Sequence, residues 1–397
     1  MTFRDQEVTV QADIVPLVIG AMIFLASLIS LRFGVSVAIV EILLGTMAGN
    51  FGLGVQEWML YLAGFGGIIL TFLAGAEIDT ILMKEKFKAS MLIGTFSFLV
   101  PFLATALYAY YVAGWSYRAS LIAGTALSTT SLAVVYSVLV ETGLTSTEIG
   151  KLLMAATFVT DMGTALALSV LFVKPTLYTL VFIAVSAAVI FLVDKFSLYI
   201  LRNPRLANKV IEPEIKYFFL ILLVFIYFAK LGEGHAVLPA FVLGLLMSKH
   251  FREHRKTKVV RDRMRTVAYA IVTPVFFIVG GMKISVAVIY SSLGLFAALF
   301  AVKIAGKFVG VYFLAKKYIP NGSMYSTLLM STGLTFGTIS SVFGLTSGYI
   351  DQVQYSVLVG VVVASAVIPT FIAQKWFMPL HSEDIVETNG NGEVTTK

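Results

Sequence analysis

Apolar stretches long enough to cross a lipid bilayer recur along almost the whole chain, and no other feature limits its folding as much. A helix needs about 20 apolar residues to span the hydrocarbon core. Thirteen stretches meet or approach that length: roughly 13–31, 34–50, 57–78, 88–113, 119–140, 147–173, 176–201, 215–231, 235–250, 266–284, 288–315, 325–347 and 352–378. The second and ninth are short. A membrane β-barrel would instead show segments of about ten residues with alternating polarity, and these do not occur. With 58% hydrophobic residues, 13% charged residues and a mean hydropathy of +0.90, the chain reads as an all-α polytopic membrane protein.

Charge placement supplies an orientation. Thirteen spans leave the N-terminus outside and the C-terminus in the cytoplasm. The cytoplasmic loops then hold Arg32; Lys84, Lys86 and Lys88; Lys151; Lys195, Arg202, Arg205, Lys209 and Lys216; the cluster from Lys249 to Arg265; and Lys316 and Lys317. The opposite side has Arg4, Arg118, Lys174, Lys230 and Lys283. This is the asymmetry that the positive-inside rule requires, and it suggests a prokaryotic cell membrane as the location. The net charge of +7 follows from the same bias and implies no nucleic-acid partner, although the basic run near 248–265 can meet anionic headgroups. Residues 1–12 are polar and show no cleavable signal, residues 13–378 form the membrane domain, and residues 379–397 are expected to be a disordered tail. The absence of cysteine excludes disulfides and thiol chemistry.

An odd number of spans suggests two inverted halves of six helices joined by one linker helix at about 176–201. The fifth and twelfth spans then correspond, and both look interrupted. The fifth contains Ser128, Thr129, Thr130 and Ser131; the twelfth contains Gly333 and Gly337 among Ser331, Thr332, Thr335 and Thr338. Unwound backbone at membrane depth is tolerated where it lines a cavity, and its free carbonyls can bind cations.

Asp161 lies near the middle of an apolar run from Ile149 to Val173. A charge at that depth costs several kcal/mol and normally marks a functional position. At helical spacing Thr157, Thr160 and Thr164 share its face. Lys303 and Lys307 repeat the anomaly with opposite sign in the eleventh span, one turn apart. Glu41 is a further acid inside a span, and Glu77 and Asp79 close the third span near Glu141 and Glu148, where they would attract cations. A buried acid opposite buried amines suggests exchange of a monovalent cation for protons. No metalloprotease, nucleophile-elbow or phosphate-loop motif is present, so the chain is expected to be neither an enzyme nor a cofactor protein.

Several stretches, in order, carry a resemblance: VAIVEILLGTMAGNFGLG, GGIILTFLAGAEID, GTALSTTSLAVVYSVLVETG, ATFVTDMGTALAL, TPVFFIVGGMKI and GKFVG. Together the set resembles the cation/proton antiporter superfamily of Na⁺/H⁺ and K⁺/H⁺ exchangers. The resemblance implies a core domain (about 88–173 and 288–378) with two crossed discontinuous helices and a scaffold (about 13–78 and 215–284) that forms a homodimer. It also implies elevator-type alternating access. It identifies Asp161 as the aspartate that closes a two-residue ion motif, Lys307 as its basic partner, and Thr130 and Ser131 as the polar break. Thr160 stands where relatives of this superfamily carry an acid, Asn or Gln.

The expected mechanism is competition at one site. Asp161 binds Na⁺ or Li⁺ with oxygens from Thr160, Thr130 and Ser131, and with Thr129, Thr157 and Thr338 as further candidates, while Lys307 and Lys303 couple the proton. A single carboxylate favours electroneutral one-for-one exchange, serving pH homeostasis. A K⁺/H⁺ antiporter and a gated cation channel remain alternative readings.

Overall fold

A computed structural model describes residues 14–33, 36–76, 87–144, 147–172, 177–202, 211–231, 236–253 and 255–379. The expected N-terminal segment (1–12), the expected tail (379–397) apart from its first residue, Glu77 and Asp79 lie outside these residues. Among the described residues the fold is helical, without strands. The helices are α1 (Val15–Phe33), α2 (Val37–Asn50), α3 (Glu57–Ala76), α4 (Phe87–Leu107), α5 (Tyr117–Ser128), α6 (Leu132–Glu141), α7 (Glu148–Leu171), α8 (Leu177–Arg202) and α9 (Pro213–Leu231). They continue as α10 (Val237–Glu253), α11 (Arg255–Val267), α12 (Thr273–Met282), α13 (Val286–Ser291), α14 (Leu293–Lys307), α15 (Phe313–Tyr318), α16 (Ser323–Met330), α17 (Thr335–Thr346) and α18 (Gln352–Trp376). Single π turns at Tyr108–Val112, Ala268–Val272 and Phe308–Tyr312 extend α4, link α11 to α12 and join α14 to α15.

Every one of the thirteen apolar stretches coincides with a helix or an interrupted helix, and nine described segments have both the length and the hydropathy to cross a bilayer. Helices form because the hydrocarbon offers no other hydrogen-bond partner for the backbone. Their aqueous ends are capped: Ser116 Oγ accepts from the Ala119 amide, Thr147 Oγ1 accepts from the Gly150 amide, and Asp351 forms a reciprocal capping box with Gln354. The fifth stretch stops being helical at Thr129–Ser131 and the twelfth at Ser331–Leu334, so both expected interruptions are present.

The helices interlock through glycine. A side chain on Gly281 would place its Cβ 2.1 Å from the Ile42 carbonyl, and one on Gly45 would lie 2.2 Å from that of Ile278. Thus α2 and α12 touch backbone to backbone. The same reciprocal contact joins α3 and α10, through Gly75 against Phe241 and Gly244 against Phe72. Such small-residue seams give close van der Waals packing where lipid removes the hydrophobic drive for helix association. On the other side α4, α5, α7, α14, α17 and α18 pack around the two interruptions, with Gly94 seated on the Ala156 carbonyl and Gly306 on Pro101. Helix α1 buries only Ile19, Met22 and Ala26 and turns Leu17, Phe24 and Leu31 outward.

Gly281→Val should therefore destabilise the purified protein by about 3 kcal/mol or more, because neither backbone can retreat from the new Cβ. Gly20→Ala, which meets nothing within 4 Å, should leave the melting temperature unchanged or slightly raised. Thermal melts in detergent compare the two; equal melting temperatures for both variants would refute the interlock.

Candidate functional site: a crossing of two interrupted helices

The two breaks meet. The Ser131 amide donates to the Thr332 carbonyl at 3.0 Å, and the Thr130 hydroxyl donates to the Met330 carbonyl at 2.8 Å. The Ser131 and Thr335 hydroxyls lie 3.5 Å apart. Two helices therefore end here, at Ser128 and Met330, and two begin, at Leu132 and Thr335, so partial charges of both signs converge. Ser128 to Ser131, Ser331 and Thr332 are almost fully buried, and Thr335 is half-buried. They hydrogen-bond backbone that the helices have released, which is why hydroxyl residues cluster at the breaks.

Asp161 reaches this crossing from α7 and is 3% exposed. The Thr129 hydroxyl donates to its Oδ1 at 3.4 Å. From α14 the Lys307 ammonium donates to Ser97 Oγ and to Thr130 Oγ1, both at 2.9 Å. Lys307 is thus hydrogen-bonded to hydroxyls, and its attraction for Asp161 acts through space rather than through a direct contact. Thr130 bridges Lys307 to the second interrupted helix: its hydroxyl accepts from the ammonium and donates to the Met330 carbonyl.

Lys303, one turn earlier, is also fully buried, but its amine has no hydrogen-bond partner. It lies against the second break, where a Cβ on Gly333 would stand 2.5 Å from its Nζ and 2.9 Å from the Thr129 carbonyl. Glycine is required there. The threonines of α7 diverge from the expected shared face. Thr157 turns to the Met330 sulfur at 3.3 Å, whereas the Thr160 hydroxyl bonds the carbonyls of Gly94 and Ala156 at 3.3 and 3.1 Å. The physical reason is the helical offset of 100° between Thr160 and Asp161, which points Thr160 towards α4. Thr338 is buried on α17 with an unpartnered hydroxyl, and Glu41 is buried on α2, outside the hydrogen-bond chain around Asp161.

A cavity of about 20 Å³ opens beside Asp161, lined also by Leu70, Leu73 and Ala74 of α3, Leu132, Tyr269, Thr335 and Phe336. That is room for about one water-sized particle. The polar side chains on the cavity lining, Asp161, Thr335 and Tyr269, all offer oxygen, the donor type that hard cations take. Among the described residues no three His, Cys, Asp or Glu side chains converge as a transition-metal site would require. Ser97 and Tyr269 were not legible as site residues in the sequence. Ser97 is one of several hydroxyl residues in its span, with Ser90, Thr95 and Thr105, and its role depends on Lys307, which is far away in the chain.

Comparison with known proteins agrees with this geometry. Residues 19–377 match the family described as "Sodium/hydrogen exchanger, transmembrane", and the chain belongs to that family. It is therefore a multi-pass membrane transport protein and not an enzyme. A protein of Methanocaldococcus jannaschii named "Probable Na(+)/H(+) antiporter 3" is 26% identical over 379 residues, covering 90% of this chain and 96% of its own length. The "Na(+)/H(+) antiporter" of Enterococcus hirae is 28% identical over 382 residues, covering 89% and 94%. The solved sodium–proton antiporter MjNhaP1 of M. jannaschii superposes with a TM-score of 0.67 at 16% identity, covering 92% of this chain and 99% of that one, a likeness of fold.

The bridging position of Thr130 has a measurable consequence. Thr130→Val removes an acceptor from Lys307 and the donor to Met330, leaving buried polar groups unpaired at a cost of about 1–3 kcal/mol. Ser97→Ala removes one acceptor only and should cost less. Thermal melts rank them; Ser97→Ala as the more damaging variant would contradict the bridge.

Proposed function

We propose that the chain is a secondary antiporter that exchanges Na⁺ or Li⁺ for protons at Asp161. The observation that carries this reading is a buried carboxylate at the crossing of two interrupted helices, open to a cavity for one small particle. Membership of an exchanger family supports cation/proton antiport in the coarse sense and sets aside the channel reading. Ionised Asp161 takes the cation with help from Thr129 and the carbonyls of the breaks, and Lys307 gives up its proton as the cation's charge arrives. Protons later displace the cation on the other side. Thr130 and Ser131 hold the crossing together, and Thr160 is assigned here to packing against α4 rather than to the ion.

The helices around the crossing act as the moving core in this reading, at about 88–173 and 288–378. The group containing α2, α3, α10 and α12 acts as the scaffold of a homodimer, and access alternates by an elevator movement. The physiological setting is the cell membrane with the C-terminus cytoplasmic, and net transport is proton entry with sodium extrusion. One carboxylate in place of two makes the exchange electroneutral. A K⁺/H⁺ variant of the same cycle is the second reading, favoured by one observation. A relative of Bacillus cereus, 24% identical over 357 residues, is named "Na(+)/H(+)-K(+) antiporter GerN".

Dequenching of a pH-sensitive dye in everted vesicles, with Na⁺, Li⁺ and K⁺ added in turn, separates these readings. Asp161→Asn should reduce exchange to background for every cation, and full activity in this variant would remove the mechanism. Thr160→Asp adds a second acid beside the first, and solid-supported-membrane currents should then record net charge movement that the native protein lacks. An unchanged charge per cycle would refute the one-carboxylate argument.

A further inference from the structure

The cavity beside Asp161 has eight lining residues, of which only Asp161, Thr335 and Tyr269 carry polar side-chain atoms. Two of these belong to the crossing. Tyr269 does not: it comes from the π turn Ala268–Val272 that links α11 to α12, on the side of the cavity shared with α3. A π turn carries one residue more than an α turn and re-aims the side chains on it, and such turns are frequent at functional sites. The Arg265 guanidinium, one turn earlier, lies 5.6 Å from the Tyr269 ring centroid, within cation–π range.

We infer that Tyr269 is a specificity-determining residue of the ion site, its ring limiting how much water accompanies a cation to Asp161. This rests on the reading of Asp161 as the cation ligand. The cavity takes about one water-sized particle, so an alkali cation must shed most of its shell before it reaches the carboxylate. Leu70, Leu73 and Ala74 on the facing wall offer no oxygen in exchange. Removing water costs a small cation more than a large one, while the carboxylate field returns more to the small one. The tighter the cavity, the wider the gap between cations. The ring, with the Arg265 guanidinium in cation–π range, keeps that cavity small; a shorter side chain lets water stay and brings the cations closer together. Arg265 acts through the ring and is a positioning residue.

The test is exchange by the full chain in proteoliposomes, with half-saturating concentrations measured for Na⁺, Li⁺ and K⁺. Tyr269→Ala should shrink the ratio between the best and the worst cation roughly tenfold, the scale on which pocket size discriminates. Tyr269→Phe, which keeps the ring, should retain the native ratio, and Arg265→Gln should shrink it less than Tyr269→Ala. Where Tyr269→Ala transports too poorly to measure, Tyr269→Leu and the thermal stabilisation of each purified variant by Na⁺ against K⁺ give the same ratio. An unchanged ratio in Tyr269→Ala, a native protein that does not discriminate, or a Tyr269→Phe that matches Tyr269→Ala would each overturn the inference. Asp161→Asn measured in parallel keeps the two failures apart. Exchange surviving that change removes the Asp161 reading, whereas Asp161-dependent exchange with an unmoved ratio removes only the role of Tyr269.

Discussion

The structure depends on a problem of backbone hydrogen bonding and its solution. Two helices break in the middle of an apolar bundle, and each break releases amides and carbonyls that lipid cannot satisfy. The breaks are stable because they satisfy each other. Ser131 donates through its amide to Thr332, Thr130 donates through its hydroxyl to Met330, and Gly333 admits the close approach of Thr129 and Lys303. Neither break would persist alone. The crossing is a single unit made from segments about 200 residues apart, and any residue that serves the ion must be positioned against it.

The way Lys307 is held follows from this. A direct ion pair with Asp161 would fill the carboxylate's lone pairs and favour a closed, inert contact. Its hydrogen bonds go instead to Ser97 and Thr130, so the ammonium is fixed by α4 and by the first break. Asp161 receives only a long hydrogen bond from Thr129 and otherwise opens on the cavity. The positive charge is therefore near enough to balance the negative one but leaves the oxygens accessible. The proposed exchange at a single carboxylate is compatible with that arrangement, because the cation and the counter-charge do not compete for the same lone pairs. Lys303 adds a second buried amine against the other break, without a hydrogen-bond partner.

Much of this was legible in the sequence because the bilayer writes simple rules. Apolar length located the helices, and the matched hydroxyl and glycine clusters at 128–131 and 331–338 located both breaks. Asp161, and Lys307 together with Lys303, stood out as charges deep inside apolar spans. What the sequence withheld was partnership across the bundle. Helical spacing put Thr160 beside Asp161, but the packing of Gly94 against α7 drew its hydroxyl to α4. Ser97 carries no local signal, since Ser90, Thr95 and Thr105 share its helix and such hydroxyls usually bond their own backbone. Tyr269 was hidden for a different reason: a π turn shifts the helical phase, and a count by 3.6 residues cannot anticipate it.

The packing also distinguishes two kinds of seam. Within α2–α12 and within α3–α10, opposed glycines lock backbone against backbone, so those pairs can move only as rigid units. Between α3 and the crossing, the facing surfaces are Leu70, Leu73, Ala74, Leu132 and Phe336, with Phe158 stacked on Phe241 at 5.7 Å between centroids. These are smooth apolar contacts without reciprocal glycine notches, and sliding them past one another breaks no hydrogen bond named at the crossing. Asp161 lies on this boundary and not inside either locked pair. In the proposed cycle the carboxylate meets water alternately on two sides, and an apolar boundary free of opposed glycines is where such a movement finds no interlocked backbone to separate.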